Sequence, residues 1–426
     1  MNLEPILETH LDDSTKGIPG GTAPFRLRDM ARQGWNVLRE DLPLPLMVLK
    51  QAALEHNSAA FKAYLGTHQL SFAPHGKTTM APQLFARQLA DGAWGLTAAT
   101  VNQVQVYRRF GVQRILLANQ LLGRAHVRYV AQELNRDADF DFYAIVDSSD
   151  QARHVAGLAR EFQLRRPIQV LVELGIPGGR SGCRSVEAGL ETARAIVKEQ
   201  DVLALCGIEG FEGILAARGA EAREAVDTFL GALVSLLGRI PDAWFGAARE
   251  IILSAGGTAY FDRVAAILGA ARHARPVRVV VRSGCYLTFD HGAYHREQDL
   301  ALSQKRAWCA PLKPALEIWA YVQSLPEPGL ALLTMGKRDC PYDAGLPVPQ
   351  RRWRPSSKKW ADLPGAEIFS TNDQHAFMRV PAGLDLAVGD MIASGISHPC
   401  TAFDKWRLVP VVNQAYDVVE GVLTYF

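Results

Sequence analysis

The sequence predicts an α/β protein: a (β/α)8 TIM barrel followed by a mainly β domain. Two observations carry this. Between residues 70 and 286, short β-rich apolar runs alternate with helical stretches, and there are eight such runs. After about residue 300 the helices drop out, leaving strand-like segments between Pro- and Gly-rich turns. A chain of 426 residues also exceeds one ordinary domain.

The eight runs are LSFAPHG (70–76), WGLTAAT (94–100), RILLANQ (114–120), DFYAIVD (141–147), IQVLVELG (168–175), LALCGIEGF (203–211), EIILSAGG (250–257) and VRVVVRSGCY (277–286). Between them lie stretches such as APQLFARQLADGA and VEAGLETARAIVKEQ, whose apolar spacing suits a helix packed on one face. An earlier run, LPLMVLK (44–50), reads as a lead-in strand entering the barrel, with QAALEHNSAAFKAYL as its helix. The late segments ALEIWAYVQSL, LALLTMG, EIFSTND, AFMRV and VVNQAYDVVEGVLTYF read as strands. The expected division is a barrel over 36–300 and a β domain over 301–426, joined by about residues 1–35. No internal repeat or low-complexity segment interrupts it.

With 46 Lys+Arg against 44 Asp+Glu the net charge is +2, which argues against a polyanion-binding surface. The densest basic runs, RRWR (351–354) and SKKW (357–360), read as a solvated loop. The opening MNLEPILETHLDDSTKG carries acidic residues and lacks the apolar core of a signal peptide. No segment approaches the roughly 20 apolar residues of a membrane span. Six cysteines (183, 206, 285, 309, 340 and 400) form no CxxC pair or dense framework, which favours reduced thiols and a cytoplasmic setting.

In a barrel, active-site groups gather at the C-terminal ends of the strands. Here those ends carry Pro74-His75-Gly76-Lys77, then Thr97 and Thr100, Asn119 and Gln120, Asp147, and Glu173 leading into GIPGGRSG with Arg180. They continue with Glu209, Phe211 and Glu212, then Ser254 to Thr258, and finally Ser283 to Tyr286. The glycine-bearing turns on strands seven and eight stand where barrels often build a phosphate site, since glycines let backbone N–H groups approach the anion. Lys77 opposite such a site suits either a phosphate contact or a Schiff base with pyridoxal phosphate; a plain surface or salt-bridged lysine is the ordinary alternative.

A second constellation is SGISHPCTAFDKW (394–406). In an extended segment His398 and Cys400 share a face, so both can ligate one metal, and imidazole with thiolate suits zinc. Two protein ligands leave positions open, as catalytic metals require. A lone His and a buried Cys is the plainer alternative. In NDQHAF (372–377), Asp373 and His375 are candidates to orient ligands or move protons, or form a satisfied polar turn.

APHGKTT, SAGGT, RSGCYLTFDHGAY and HPCTAFD, in this order, resemble the fold-type III (alanine-racemase-like) pyridoxal-phosphate enzymes, and within them the D-serine dehydratase/D-threonine aldolase group. The resemblance runs from about residue 20 to the end. It implies a pyridoxal 5'-phosphate-binding barrel of the alanine racemase N-terminal type, with a cofactor lysine in the PH-x-K motif that falls on Lys77, beside His75. It further implies phosphate-binding turns at Gly256, Gly257 and Thr258 and at Gly284, Cys285 and Tyr286, an arginine beside the cofactor at Arg180, and divalent-metal ligands at His398 and Cys400. Zinc fits that pair best, with manganese or magnesium as alternatives. Where many relatives carry a tyrosine near the cofactor on strand six, this chain has Phe211.

The activity so implied is a D-3-hydroxyamino acid dehydratase (D-serine/D-threonine deaminase-like) yielding a 2-oxo acid and ammonia, with Lys77 and His375 as catalytic candidates. D-threonine aldolase chemistry, giving glycine and an aldehyde, uses the same parts; the HPC form resembles the dehydratase branch more. A racemase does not need the late metal pair, and a non-catalytic pyridoxal-phosphate carrier ends after the barrel. The resemblance also implies a homodimer acting on a small-molecule D-amino acid, with no nucleic acid or membrane partner.

Overall fold

The computed structural model describes residues 1–215, 221–246 and 248–426. These fall into two compact units. One comprises Met1, Lys62–Lys77 and Gln88–Gly284; the other comprises Asn2–Phe61, Thr78–Arg87 and Cys285–Phe426. No described helix is long and apolar enough to cross a membrane.

The first unit is built on eight parallel strands: Ser71–Phe72, Leu96–Ala98, Arg114–Gln120, Asp141–Val146, Ile168–Leu174, Leu203–Gly210, Ile251–Ala255 and Val277–Val281. Each falls within one of the eight runs expected. Hydrogen bonding passes from the first strand to the eighth and back in descending order to the second. The two ends of that path then meet. His75 bridges Thr97 in parallel, Trp94 N–H donates to the Phe72 carbonyl at 2.7 Å, and Thr97 N–H donates to Pro74 at 2.9 Å. The sheet thereby closes on itself.

Why these runs form barrel strands is visible in their burial. All five residues of Ile251–Ala255 are buried, as a strand covered on both faces requires. Leu116, Ile145, Leu171, Cys206, Ile252 and Val280, drawn from six strands, pack with Tyr143 and with Ala73, just after the first strand, into one interior cluster. Burying each large aliphatic side chain there contributes about 1.5–3 kcal/mol. The helices start where the sequence supplies caps: Thr100 accepts from Gln103 N–H, Ser148 from Gln151 and Ser185 from Ala188. Each such cap contributes ~1 kcal/mol.

The second unit centres on Leu316–Glu327, which pairs antiparallel with Met391–Gly395, Leu330–Leu333 and Leu46–Lys50. Its sheet runs Lys359–Asp362, Val348–Arg354, Met391–Gly395, Leu316–Glu327, Leu330–Leu333, Ala376–Arg379, Glu367–Thr371. Leu408–Val412 pairs antiparallel with Val418–Leu423 and parallel with Leu46–Lys50. The amino-terminal segment joins this unit: Val418 N–H donates to Trp35, and the Asn36 amide reaches the Ala415 carbonyl and the Asp417 carboxylate, both at 2.8 Å.

Two expectations are corrected here. Leu46–Lys50 is not a lead-in to the barrel. Four of its five residues are buried and both edges need partners, which Leu316–Glu327 and Leu408–Val412 supply. The basic runs at 351–360 are not a loop but a hairpin, with Arg354 opposite Lys359. Arg352 and Arg354 are neutralised by Asp385 and Asp390, and the buried Trp353 donates its indole N–H to Leu38.

Candidate active site

In the barrel unit, Lys77 stands half-buried on the 3-10 turn Gly76–Thr78, directly after the first strand. Two residues earlier, the Nδ1 atom of His75 is buried with no hydrogen-bond partner. Burial, followed by the charges of Lys77, Arg282 and Arg180, holds its imidazole well below the ordinary histidine range. It is therefore neutral at pH 7, with an open ring nitrogen.

Buried carboxylates ring the same strand ends. Glu209 is ion-paired to Arg282, which also donates to the Gly210 carbonyl at 2.9 Å. On the neighbouring strand Glu173 accepts from Gln120 Nε2 at 2.6 Å and Ser181 Oγ at 2.9 Å. Burial, then the charge of Glu209, pushes Glu173 up to about 7. Asp147 accepts from the Gln120 side chain and from Gly182 N–H. The Arg180 guanidinium lies over the Phe211 ring, 4.7 Å from its centroid.

The strand-seven turn is shaped for glycine. Gly256 has φ +98°, and a Cβ on Gly257 would stand 3.0 Å from the Phe211 ring. Its amides, however, are not free donors: both donate to the fully buried Glu212 carboxylate, at 2.9 and 3.0 Å. Burial raises the pKa of Glu212. At the turn expected to bind phosphate, the Gly256 and Gly257 amides are thus both engaged by Glu212. Thr258 is buried beside them, and Gly257 accepts from Ser283 Oγ at 2.8 Å.

In the β unit, His398 is extended and Pro399–Thr401 forms a 3-10 turn. Asp343 fixes the pair's geometry: one oxygen lies 2.6 Å from His398 Nδ1, and the other accepts from Thr401 Oγ1 at 2.6 Å. A carboxylate on Nδ1 sets the tautomer that leaves Nε2 for a metal. The Cys400 sulfur lies 3.3 Å from Thr78 Oγ1 and 3.5 Å from the Cys285 sulfur. The hydrogen bond from Cys285, and then His398, hold the Cys400 thiol well below its ordinary range. Reciprocally, Cys400 and then Asp343 raise His398 to about 9. Both shifts favour the charged forms of the pair, and imidazole with thiolate is a donor set that would suit a soft divalent cation. Among the described residues no group of three or more His, Cys, Asp or Glu is placed to hold a metal ion.

The Cys285 thiol lies 3.5 Å from the Cys400 sulfur and 3.9 Å from Thr78 Oγ1, and the buried Tyr286 ring stacks on Phe61 at 4.4 Å. Gly284 ends the barrel unit. His375 sits in the turn between Glu367–Thr371 and Ala376–Arg379, its carbonyl accepting from Asn372. Among the described residues no hydrogen bond joins it to His398 or Cys400, so the polar-turn alternative describes it better than the catalytic one. Asp343 and Thr78 were not singled out from sequence; their only signal is proximity in space to HPC.

The alanine racemase N-terminal domain family model matches residues 49–290, and the putative serine dehydratase domain model matches 315–412. A D-threonine aldolase of Arthrobacter sp. is 25% identical over 388 residues, covering 89% of this chain and 90% of that protein. The D-threo-3-hydroxyaspartate dehydratase of Delftia sp. (strain HT23) is 28% identical over 141 residues, 33% of this chain and 36% of its own. Among solved structures, D-threonine aldolase from Filomicrobium marinum superposes with a TM-score of 0.73 at 21% identity, covering 94% of this chain and 98% of that one. A cysteine-to-alanine variant of D-threo-3-hydroxyaspartate dehydratase, in the metal-free form, gives 0.68 at 18% identity, covering 92% and 99%. The closed eight-stranded barrel carrying Lys77, with a family match over more than half its length, places the chain in the alanine racemase N-terminal domain family, within the fold-type III pyridoxal-phosphate enzymes of D-amino acids.

Proposed function

We propose that the chain is a pyridoxal-phosphate- and divalent-metal-dependent lyase that dehydrates D-3-hydroxyamino acids such as D-serine or D-threonine to a 2-oxo acid and ammonia. The observation that carries this reading is the His398–Cys400 pair, pre-oriented by Asp343. The cofactor, when bound, supplies an electron sink at the substrate Cα. The metal, when bound, supplies Lewis acidity at a β-hydroxyl that is otherwise a poor leaving group.

Lys77 is the cofactor anchor in this reading, and its amine moves the Cα proton. His75 offers an open neutral nitrogen in the same segment, and Arg180 and Thr258 add polar contacts around the mouth. A phosphate at the Gly256–Gly257 turn requires Glu212 to release the two amides. In the β unit, His398 Nε2 and the Cys400 thiolate hold the metal, zinc by the softness of the donors. The balance is simple: the Cα proton and β-hydroxyl leave as water, and the resulting enamine takes up water to give oxo acid and ammonia.

A second reading is favoured by the near full-length similarity to a D-threonine aldolase. There the hydroxyl proton is removed instead, the Cα–Cβ bond breaks, and glycine and an aldehyde result. The test is to supply D-serine to the loaded enzyme with and without chelator. Pyruvate and ammonia that vanish with chelator and return with zinc are expected; no oxo acid from D-serine, with chelator-sensitive glycine from D-threonine, overturns the dehydratase reading.

A further inference from the structure

We propose that a cavity in the β unit, containing none of Lys77, His398 and Cys400, binds a small dianion: a dicarboxylate or a phosphate-bearing metabolite. The cavity encloses about 420 Å³, within the range of small-molecule sites. Lys50, Lys313, Arg351, Asn413, Gln414 and Tyr416 supply its polar lining.

Charge and fixed geometry carry the inference. At the edge lies Glu317, 3% exposed, with both oxygens engaged: Lys50 Nζ stands 3.0 Å from one, and the Tyr416 hydroxyl donates to the other at 2.9 Å. That hydroxyl accepts from Arg351 at 2.6 Å, and the Arg351 guanidinium carbon lies over Trp360, 4.0 Å from the ring centroid. A rigid chain Lys50–Glu317–Tyr416–Arg351 therefore holds two cations at set positions. Among the described residues Arg351 makes one side-chain hydrogen bond, leaving N–H donors of its fork for a carboxylate or phosphate. Lys313 is exposed at the rim and has no ion-pair partner among the described residues. Three cations less one carboxylate leave the wall at +2. The next carboxylate, Asp417, is taken up by Asn36 and Asn413.

Two further features agree. Tyr416 is held at φ +65°, a conformation a bulky residue rarely adopts, and such strain concentrates at ligand sites. Ala52 and Ala53, in the first turn of the 17-residue helix Gln51–Thr67, line the same cavity, and their amides lack intrahelical acceptors.

The experiment is calorimetric titration of the pyridoxal-phosphate-loaded enzyme with succinate and, separately, with inorganic phosphate, at constant ionic strength. Saturable binding of either at one site per chain is expected, weakened about tenfold by Lys313→Gln and at least as much by Arg351→Gln. Succinate alone identifies a dicarboxylate site, phosphate alone a phosphate site. Lys313 is exposed and unpaired, so Lys313→Gln decides the matter if Arg351→Gln does not fold. No saturable binding of either anion up to about 10 mM, or an affinity that Lys313→Gln leaves unchanged, overturns the proposal.

Discussion

The barrel mouth and the HPC turn of the β unit handle buried charge in opposite ways. At the mouth, charges are cancelled internally: Glu209 by Arg282, Glu212 by two backbone amides, and Glu173 by neutral donors and a raised pKa. At the HPC turn the neighbours favour charge instead, Cys285 and His398 lowering the Cys400 thiol and Cys400 and Asp343 raising His398. The contrast separates a region built to present one reactive amine in a fixed surround from one built to accept a metal. It also ranks how much each substitution costs.

The largest effect is expected at Lys77. Lys77→Ala is expected to abolish the absorption band of the lysine-bound cofactor and to lower turnover by at least about a thousandfold, whereas Lys198→Gln, at an exposed helix position, leaves both intact. At the HPC turn, Cys400→Ala is expected to release the metal, read as bound zinc per chain by elemental analysis, while the cofactor band persists. Asp343→Asn keeps the ligands but loses the carboxylate behind His398, so metal affinity falls about 10- to 100-fold in chelator competition. If metal loss also removed the cofactor band, the division of labour between the two regions would fail.

Smaller effects sharpen the mouth. Glu212→Ala leaves two buried amides without an acceptor and costs about 2–4 kcal/mol in denaturant unfolding; Glu212→Gln retains one acceptor oxygen and costs less. For Glu173 the sign follows from a folded pKa pushed up to about 7, against 4.5 for a solvated glutamate. A raised folded pKa means stability present below 4.5 and lost as pH rises through 7. Glu173→Gln is therefore expected to match the parent protein at pH 4 and exceed it by on the order of 2 kcal/mol at pH 8.

Legibility in sequence followed the range of the interactions. The eight barrel strands were readable because each is a short, largely buried apolar run, and three of the helices between them open on a Thr or Ser cap. Leu46–Lys50 was not, since an all-apolar run fits any central strand and its partners lie more than 260 residues away. The 351–360 hairpin was hidden because its charges, which suggest solvent, are neutralised by Asp385 and Asp390. At the site, Lys77, His398 and Cys400 stood out by local spacing. Asp343 lies 55 residues from His398, in a stretch that reads as a turn, and Glu212 meets Gly256 across 44 residues. Neither contact leaves a periodicity. Local pattern reveals reactive groups; it does not reveal which backbone donors are already taken.

In the proposed function, a metal held by His398 and Cys400 would favour loss of the β-hydroxyl over cleavage of the Cα–Cβ bond. The most direct measurement is proton NMR of D-threonine turned over by the zinc-loaded enzyme. The account predicts 2-oxobutanoate and ammonia, with no acetaldehyde, and neither product from Cys400→Ala. Glycine and acetaldehyde in equal amounts, with no oxo acid, would contradict it.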